Sequence, residues 1–192
     1  MASDAPLLAF DTSAAHCAAA LLLGDRVVTR AENMARGQAE RLMPLLDELL
    51  RTEGVRFSDL GRIGVGTGPG NFTGIRISVA AARGLALGLC VPAIGVSCLA
   101  ALRAASSSGC AAIAAPRGMA YVQMGEGAPV LEPLADVPPD AALLDCPENL
   151  VAAIARLAAR AAADDLAPAP FYLKSADAAP SRDLPPRLLD DA

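Results

Sequence analysis

The chain is 192 residues long, 54% hydrophobic but only 3% aromatic, with a net charge of −5. That length suits one ordinary domain or two small ones, with a core of alanine, leucine and valine. Residues 1–100 hold nine acids and nine bases, while residues 101–192 hold twelve acids and seven bases, so the acidic excess sits in the second half and no basic face for independent nucleic-acid binding is expected.

In chain order, residues 7–10 read as a buried strand followed by an Asp11-Thr12-Ser13 turn. Residues 17–23 and 26–31 read as two further strands about a Gly24-Asp25 turn. Leu42, Leu45, Leu46, Leu49 and Leu50 share one stripe, which predicts an amphipathic helix over 38–51, with Pro44 expected to kink it or weaken its first turn. Residues 62–66 read as a strand that enters Gly66-Thr67-Gly68-Pro69-Gly70-Asn71-Phe72-Thr73-Gly74, a loop of four glycines and a proline opening a second helix that ends near Leu89. A strand over 91–96 and a helix over 97–105, capped by Ser97, follow.

Charge is absent between Arg83 and Arg103, a run long enough for a membrane span, but Gly84, Gly88, Pro92 and Gly95 punctuate it. Helix end, buried strand and helix start is the better parse, and no membrane role is expected. Proline marks a change of character beyond this point: eleven of the fifteen prolines follow Ala115, against three of the sixteen glycines. Short strands are expected over 126–145, an alanine-rich helix over 149–163, and a loose tail beyond Ser175. The N-terminus has no basic segment leading into an apolar run, so no signal peptide is expected.

A glycine loop opening a helix bares backbone N–H groups beside the positive end of the helix dipole, as anion sites require. Yet the spacing fits neither G-x-G-x-x-G nor G-x-x-x-x-G-K-[ST], and the only lysine is the distant Lys174. The five cysteines, Cys17, Cys90, Cys98, Cys110 and Cys146, form no C-x-x-C pair and are expected to be buried thiols; with His16 the sole histidine, no metal site is expected.

The wording of the glycine loop, together with Phe10-Asp11-Thr12-Ser13, Ala39-Glu40-Arg41-Leu42, Val91-Pro92-Ala93-Ile94-Gly95-Val96 and Pro170-Phe171-Tyr172-Leu173-Lys174, resembles the bacterial TsaB (YeaZ) family. The likeness covers residues 7–102 well and the rest thinly. It implies an α/β fold of the actin-like ATPase (RNase H-like) superfold, with a full lobe over 1–98, a reduced second lobe over 99–175 and a flexible tail over 176–192. It also implies a cytoplasmic, non-catalytic subunit of the machinery that makes tRNA threonylcarbamoyladenosine. In that family the partner TsaD performs the transfer and the ATPase TsaE joins the complex. The tRNA, ATP or ADP and threonylcarbamoyl-adenylate would be met only in that complex, with no cofactor of the chain's own, and the isolated protein is expected to form homodimers.

For the partner face the resemblance implies the two helices, and the candidates are Gln38, Leu42, Leu45, Phe72, Thr73, Arg76, Val79, Ala80 and Arg83. Gly74, Ser78 and Ala82 form a small-residue row that either packs inside the chain or lets a partner backbone approach. Gln38 stands where the family often has histidine, which favours a structural role there.

An alternative is a nucleotide-dependent small-molecule enzyme using Asp11, Thr12, Ser13, Gly68 and Gly70. Against it, the second lobe opens on Ile113-Ala114-Ala115-Pro116-Arg117-Gly118-Met119, where Ala114, Pro116 and Met119 depart from the family's Asp-Ala-Arg-Arg-Gly-Glu and no carboxylate remains. A glycoprotease-like peptidase is a weaker alternative, because the His-x-x-x-His spacing of TsaD falls on Cys98 and Leu102 here. Catalytic residues are therefore expected to be none.

Overall fold

The computed structural model describes residues 5–162 and 168–173. The expected tail over 176–192, Lys174, the end of the expected last helix at Ala163 and residues 1–4 lie outside the described residues.

Through the first half the elements follow the hydrophobic pattern: β1 (Leu7–Asp11), β2 (His16–Leu23), β3 (Arg26–Asn33), α1 (Gln38–Thr52), β4 (Arg62–Gly66), α2 (Phe72–Leu89), β5 (Ala93–Val96) and α3 (Cys98–Ala105). Asn71 caps α2 and Ser97 caps α3, each side-chain oxygen accepting a backbone N–H three residues on. Helix α1 is continuous through Pro44, whose ring lies on its exposed side. The uncharged run divides as expected, into the end of α2, β5 and α3. Among the described residues α2 alone is long and apolar enough to cross a membrane, but Ile75, Val79 and Ala82 bury one stripe of it against the core.

Strands β1 to β5 form one sheet in the order β3-β2-β1-β4-β5, antiparallel across β3-β2-β1 and parallel across β1-β4-β5. Side chains alternate across it. Leu8, Phe10, Ala19, Leu21, Ile63 and Val65 meet Leu42, Leu45, Leu46, Leu49 and Leu50 of α1 and Ile75, Val79 and Ala82 of α2. Leu7, Ala9, Ala18, Ala20, Ile94 and Val96 point the other way, onto α3 and a later helix. Both faces are covered, which is why β1 and β2 read as unbroken apolar runs.

The second half builds a smaller sheet, β8-β7-β6-β9, from β6 (Cys110–Ala115), β7 (Met119–Met124), β8 (Val130–Pro133) and β9 (Ala142–Leu143). The β6-β7 hairpin is not among the expected elements, since residues 113–119 read from sequence only as the opening of a second lobe. Its strands are alanine-rich, and its turn puts Arg117 at φ 64 and Gly118 at φ 70, left-handed conformations for which arginine is an uncommon choice. Helix α4 (Pro147–Arg160) starts two residues before the expected position, with Pro147 in its first turn.

Although α4 lies beyond the boundary expected at residue 98, it packs across β1, β2 and β4 of the first sheet. Gly64 and the alanines of α4 explain how close it comes: a methyl on Gly64 would sit 2.9 Å from the Ala158 Cβ. Arg62 Nη1 donates to the carbonyls of Ala158 and Ala161, both at 2.7 Å, and so satisfies the open end of α4.

Candidate functional site

Two places collect the residues singled out by sequence: the Asp11-Thr12-Ser13 turn with its glycine loop, and the outer faces of α1 and α2.

At the first, the turn and the loop are packed into one another. A methyl on Gly66 would overlap the Asp11 carboxylate, one on Gly70 the Ser13 carbonyl, and one on Gly74 the Thr12 carbonyl. Gly68, at φ 96, lies so close to Ile75 that a methyl would come within 2.6 Å of its Cδ1. Hydrogen bonds cross the contact both ways. Thr12 Oγ1 donates to the Gly74 carbonyl at 2.7 Å, and the Asn71 N–H donates to the Ser13 carbonyl at 2.6 Å. The glycine spacing, which matches no phosphate-binding pattern, is thus the spacing needed to receive the chain's own β1-β2 turn. Asn71 Oδ1 also takes the Gly74 N–H, one of the free donors at the start of α2.

Asp11 is fully buried. Its Oδ1 accepts from the Ser13 N–H at 2.9 Å and the Ser13 hydroxyl at 2.8 Å, and lies 2.8 Å from His16 Nε2, which carries a proton to an ionised carboxylate. Oδ2 faces the Cys98 thiol at 3.5 Å. Burial alone would push the Asp11 pKa up, but the bond from His16, the attraction of its ring and the two Ser13 donors hold the carboxyl below its ordinary value. Burial and the neighbouring Asp11 charge drive the Cys98 thiol the other way, well above its ordinary value. Ser13 gives its proton to Asp11, so Ser13, His16 and Asp11 do not form a relay in which histidine activates serine. Ser13 and His16 are as inaccessible as Asp11, at 1% and 2% exposed. The cluster ties the β1-β2 turn, the end of β4 and the start of α3 together. His16 and Cys98 are its members that motif reading did not assign to Asp11.

A cleft of about 560 Å³ opens nearby along residues 94–96 of the edge strand β5 and Ser97, walled by Ala100, Leu157, Ala161 and Phe171. Thr67, Ser97 and Gln123 are its polar groups, and its lining leaves out Asp11, Thr12, Ser13, Gly68 and Gly70.

At the second place the structure corrects three expectations. Leu42, Leu45 and Val79 do not face outward; they are 1%, 0% and 3% exposed, because the apolar stripe of each helix faces its own sheet. The Gly74, Ser78 and Ala82 row is also internal, with Ser78 Oγ donating within its helix to the Ile75 carbonyl at 3.2 Å. Thr73, Arg76, Ala80 and Arg83 are exposed as expected, and Phe72 and Gln38 are half-buried. Gln38 Nε2 donates to the Met34 carbonyl at 3.2 Å and the Ala14 carbonyl at 3.4 Å, fastening the start of α1 to the β1-β2 turn.

The outer face also contains residues the sequence reading did not name. Met43 is 42% exposed and Leu87 82%, with Pro44, Gly84 and Gly88 exposed beside them. The missed signal lies in α2 itself: only Arg76 and Arg83 are charged among its 18 residues, so its solvent side carries small and apolar residues between two arginines. The expectation of buried thiols is also corrected at Cys90, which is exposed in the left-handed turn that ends α2.

A family model described as TsaD, tRNA N6-adenosine threonylcarbamoyltransferase, matches residues 27–159. The chain is 40% identical over 93 residues to the tRNA threonylcarbamoyladenosine biosynthesis protein TsaB of Escherichia coli (strain K12), a match covering 48% of this chain and 40% of that protein. It is 37% identical over 100 residues to the protein of the same name from Haemophilus influenzae, covering 52% of this chain and 42% of that one. The chain thus spans less than half the length of these curated relatives. Among solved structures, YeaZ from Pseudomonas aeruginosa superposes with a TM-score of 0.67 at 28% identity, covering 80% of this chain and 92% of that one. A second Pseudomonas aeruginosa structure, described as similar to peptidase YEAZ, gives a TM-score of 0.68 at 28% identity over 88% of this chain and all of that one.

Proposed function

The chain belongs to the family described by the TsaD model and, among its members, to the TsaB (YeaZ) proteins, and from that premise we propose that it is a scaffold subunit for tRNA threonylcarbamoyladenosine synthesis. In this reading it performs no chemistry of its own. It holds a TsaD-type partner in its working arrangement through the outer faces of α1 and α2, and TsaE joins the pair. The tRNA, ATP and threonylcarbamoyl-adenylate are handled in the complex, in the cytoplasm. The fold reads as an actin-like lobe followed by a reduced second one, and without its partner the same face pairs two copies of the chain.

One observation carries the reading: a long helix with Ala80, Gly84, Leu87 and Gly88 exposed, on the same side of the sheet as α1 with its exposed Met43 and Pro44. Small residues let a second pair of helices approach closely, and Met43 and Leu87 supply apolar area. A lasting contact of this kind buries roughly 1,600 Å² in total. The packing of the Asp11 turn into its glycine loop supports the same reading, since the groups that would meet a phosphate already meet each other.

The test is light scattering on a size-exclusion column, with the chain mixed with the TsaD of its own source. A one-to-one or two-to-two complex that is lost on Ala80→Glu or Leu87→Glu is expected. Two proteins that elute separately, or a complex indifferent to both substitutions, would refute the proposal.

A further inference from the structure

After α4 the chain returns to the glycine loop. The Phe171 N–H donates to the Thr67 carbonyl at 2.8 Å, and a methyl on Gly68 would come within 3.0 Å of the Phe171 carbonyl. This seating delivers Tyr172 to the first turn of α2. Its ring lies on Phe72, centroids 4.7 Å apart and planes inclined by 31°. Its hydroxyl accepts from Arg76 Nε at 3.0 Å, while the Arg76 guanidinium carbon sits 3.9 Å above the Phe72 ring. Two aromatic side chains thus fix one arginine, by its face and by its inner nitrogen.

What remains of that guanidinium is unmet. Arg76 Nη1 and Nη2 make no hydrogen bond or ion pair among the described residues, and the side chain is exposed. Arg26, Arg41, Arg51, Arg56 and Arg103 each hold a carboxylate. Arg76 has none among the described residues, although the chain is acidic, and α2 contains no acid. A planar fork held by Nε and by its face leaves two parallel N–H groups directed outward, which match the two oxygens of a carboxylate.

We infer that Arg76, positioned by Tyr172 and Phe72, is a preset clamp for an aspartate or glutamate on the partner protein. The inference rests on the scaffold reading above and deepens it. The exposed face that continues along α2 from the clamp, through Ala80 one turn on to Leu87 three turns on, suits a protein helix rather than a nucleic-acid backbone. Tyr172 is a positioning residue: it organises the arginine before the partner arrives, so less freedom is lost on binding.

The experiment is calorimetric titration of the full chain with the TsaD of its source over a series of salt concentrations. Arg76→Gln is expected to weaken binding by about tenfold to a hundredfold and to flatten its salt dependence. Arg76→Lys should lose nearly as much, because an ammonium has no fork. Tyr172→Phe keeps the ring but not the hydroxyl and should cost about three- to tenfold, with no added loss when combined with Arg76→Gln. Melting temperatures close to the wild type would show that each variant is folded. Lysine binding as tightly as arginine overturns the clamp. So does an unchanged affinity for Arg76→Gln in a complex that Ala80→Glu still destroys, and the scaffold reading then survives. A loss confined to tRNA binding by the assembled complex would mean that Arg76 takes a phosphate, again overturning the clamp. Absence of any complex overturns both.

Discussion

The molecule has two hairpins that open its two sheets, β1-β2 and β6-β7, and they are built on opposite terms. The first turns through Asp11-Thr12-Ser13, buried, with a carboxylate held by serine and histidine and received by three glycines. The second turns through Pro116-Arg117-Gly118, all exposed, and presents no acid. The first sheet carries helices on both faces, whereas the core cluster proper to the second comprises Cys110, Ala112, Ala120 and Val122. In the first hairpin an acid-hydroxyl turn is packed and hydrogen-bonded into the chain's own glycine loop. Small residues serve both regions, but in the first they bring backbones together, and in the second they leave little to bury.

The contrast breaks most severely at Asp11. Asp11→Asn leaves His16 without its carboxylate in a sealed site, at an expected cost of about 3–5 kcal/mol in urea unfolding. Arg117→Ala in the other turn should stay within about 0.5 kcal/mol. Gly74→Ala comes next. Alanine gains roughly 1 kcal/mol of helix propensity over glycine, but here its methyl would overlap the Thr12 carbonyl, and a net loss of about 3 kcal/mol is expected. Gly84→Ala, on the same helix with open space around it, should stabilise the isolated chain by about 0.5–1 kcal/mol.

Acid sharpens the comparison further. The folded chain holds the Asp11 carboxyl below its ordinary value of 3.8, so just below that value the unfolded chain binds more protons. Stability from this group is therefore complete above the unfolded pKa and is lost as the pH falls through the folded one. Urea midpoints of the wild type should drop as the pH is lowered below about 4, and a flat profile there would contradict the buried pair. The smallest effect belongs to the second turn. Arg117→Asn suits the left-handed conformation better and should add about 0.5 kcal/mol.

The first sheet was legible because β1, β2, β4 and β5 are apolar runs and because Ser97, and either Asn71 or Thr73, announce the helices after them; the structure gives the second cap to Asn71. The β6-β7 hairpin was not, since Cys110–Ala115 lacks β-branched residues except Ile113 and its turn carries arginine where asparagine or glycine would have signalled it. At the candidate site, residue type revealed the Asp11 turn and the glycine loop but not that each fills the other. His16 and Cys98 reach Asp11 only after the chain has folded, the second from 87 residues away. Periodicity puts Ile75, Val79 and Ala82 toward the sheet, whereas the partner face drawn from the resemblance includes Leu42, Leu45 and Val79, which are buried, and leaves out Met43 and Leu87, which are exposed. Tyr172 escaped for another reason. Nothing local to it announces that it returns to Phe72 and Arg76, 96 residues upstream of its arginine partner.

Whether this chain works by contact is best decided by hydrogen-deuterium exchange on the chain alone and with the TsaD of its source. Slower exchange confined to α1 and α2, with the cleft along β5 unchanged, is the expected result. Protection of that cleft or of the Asp11 turn, with the two helices unaffected, would contradict it.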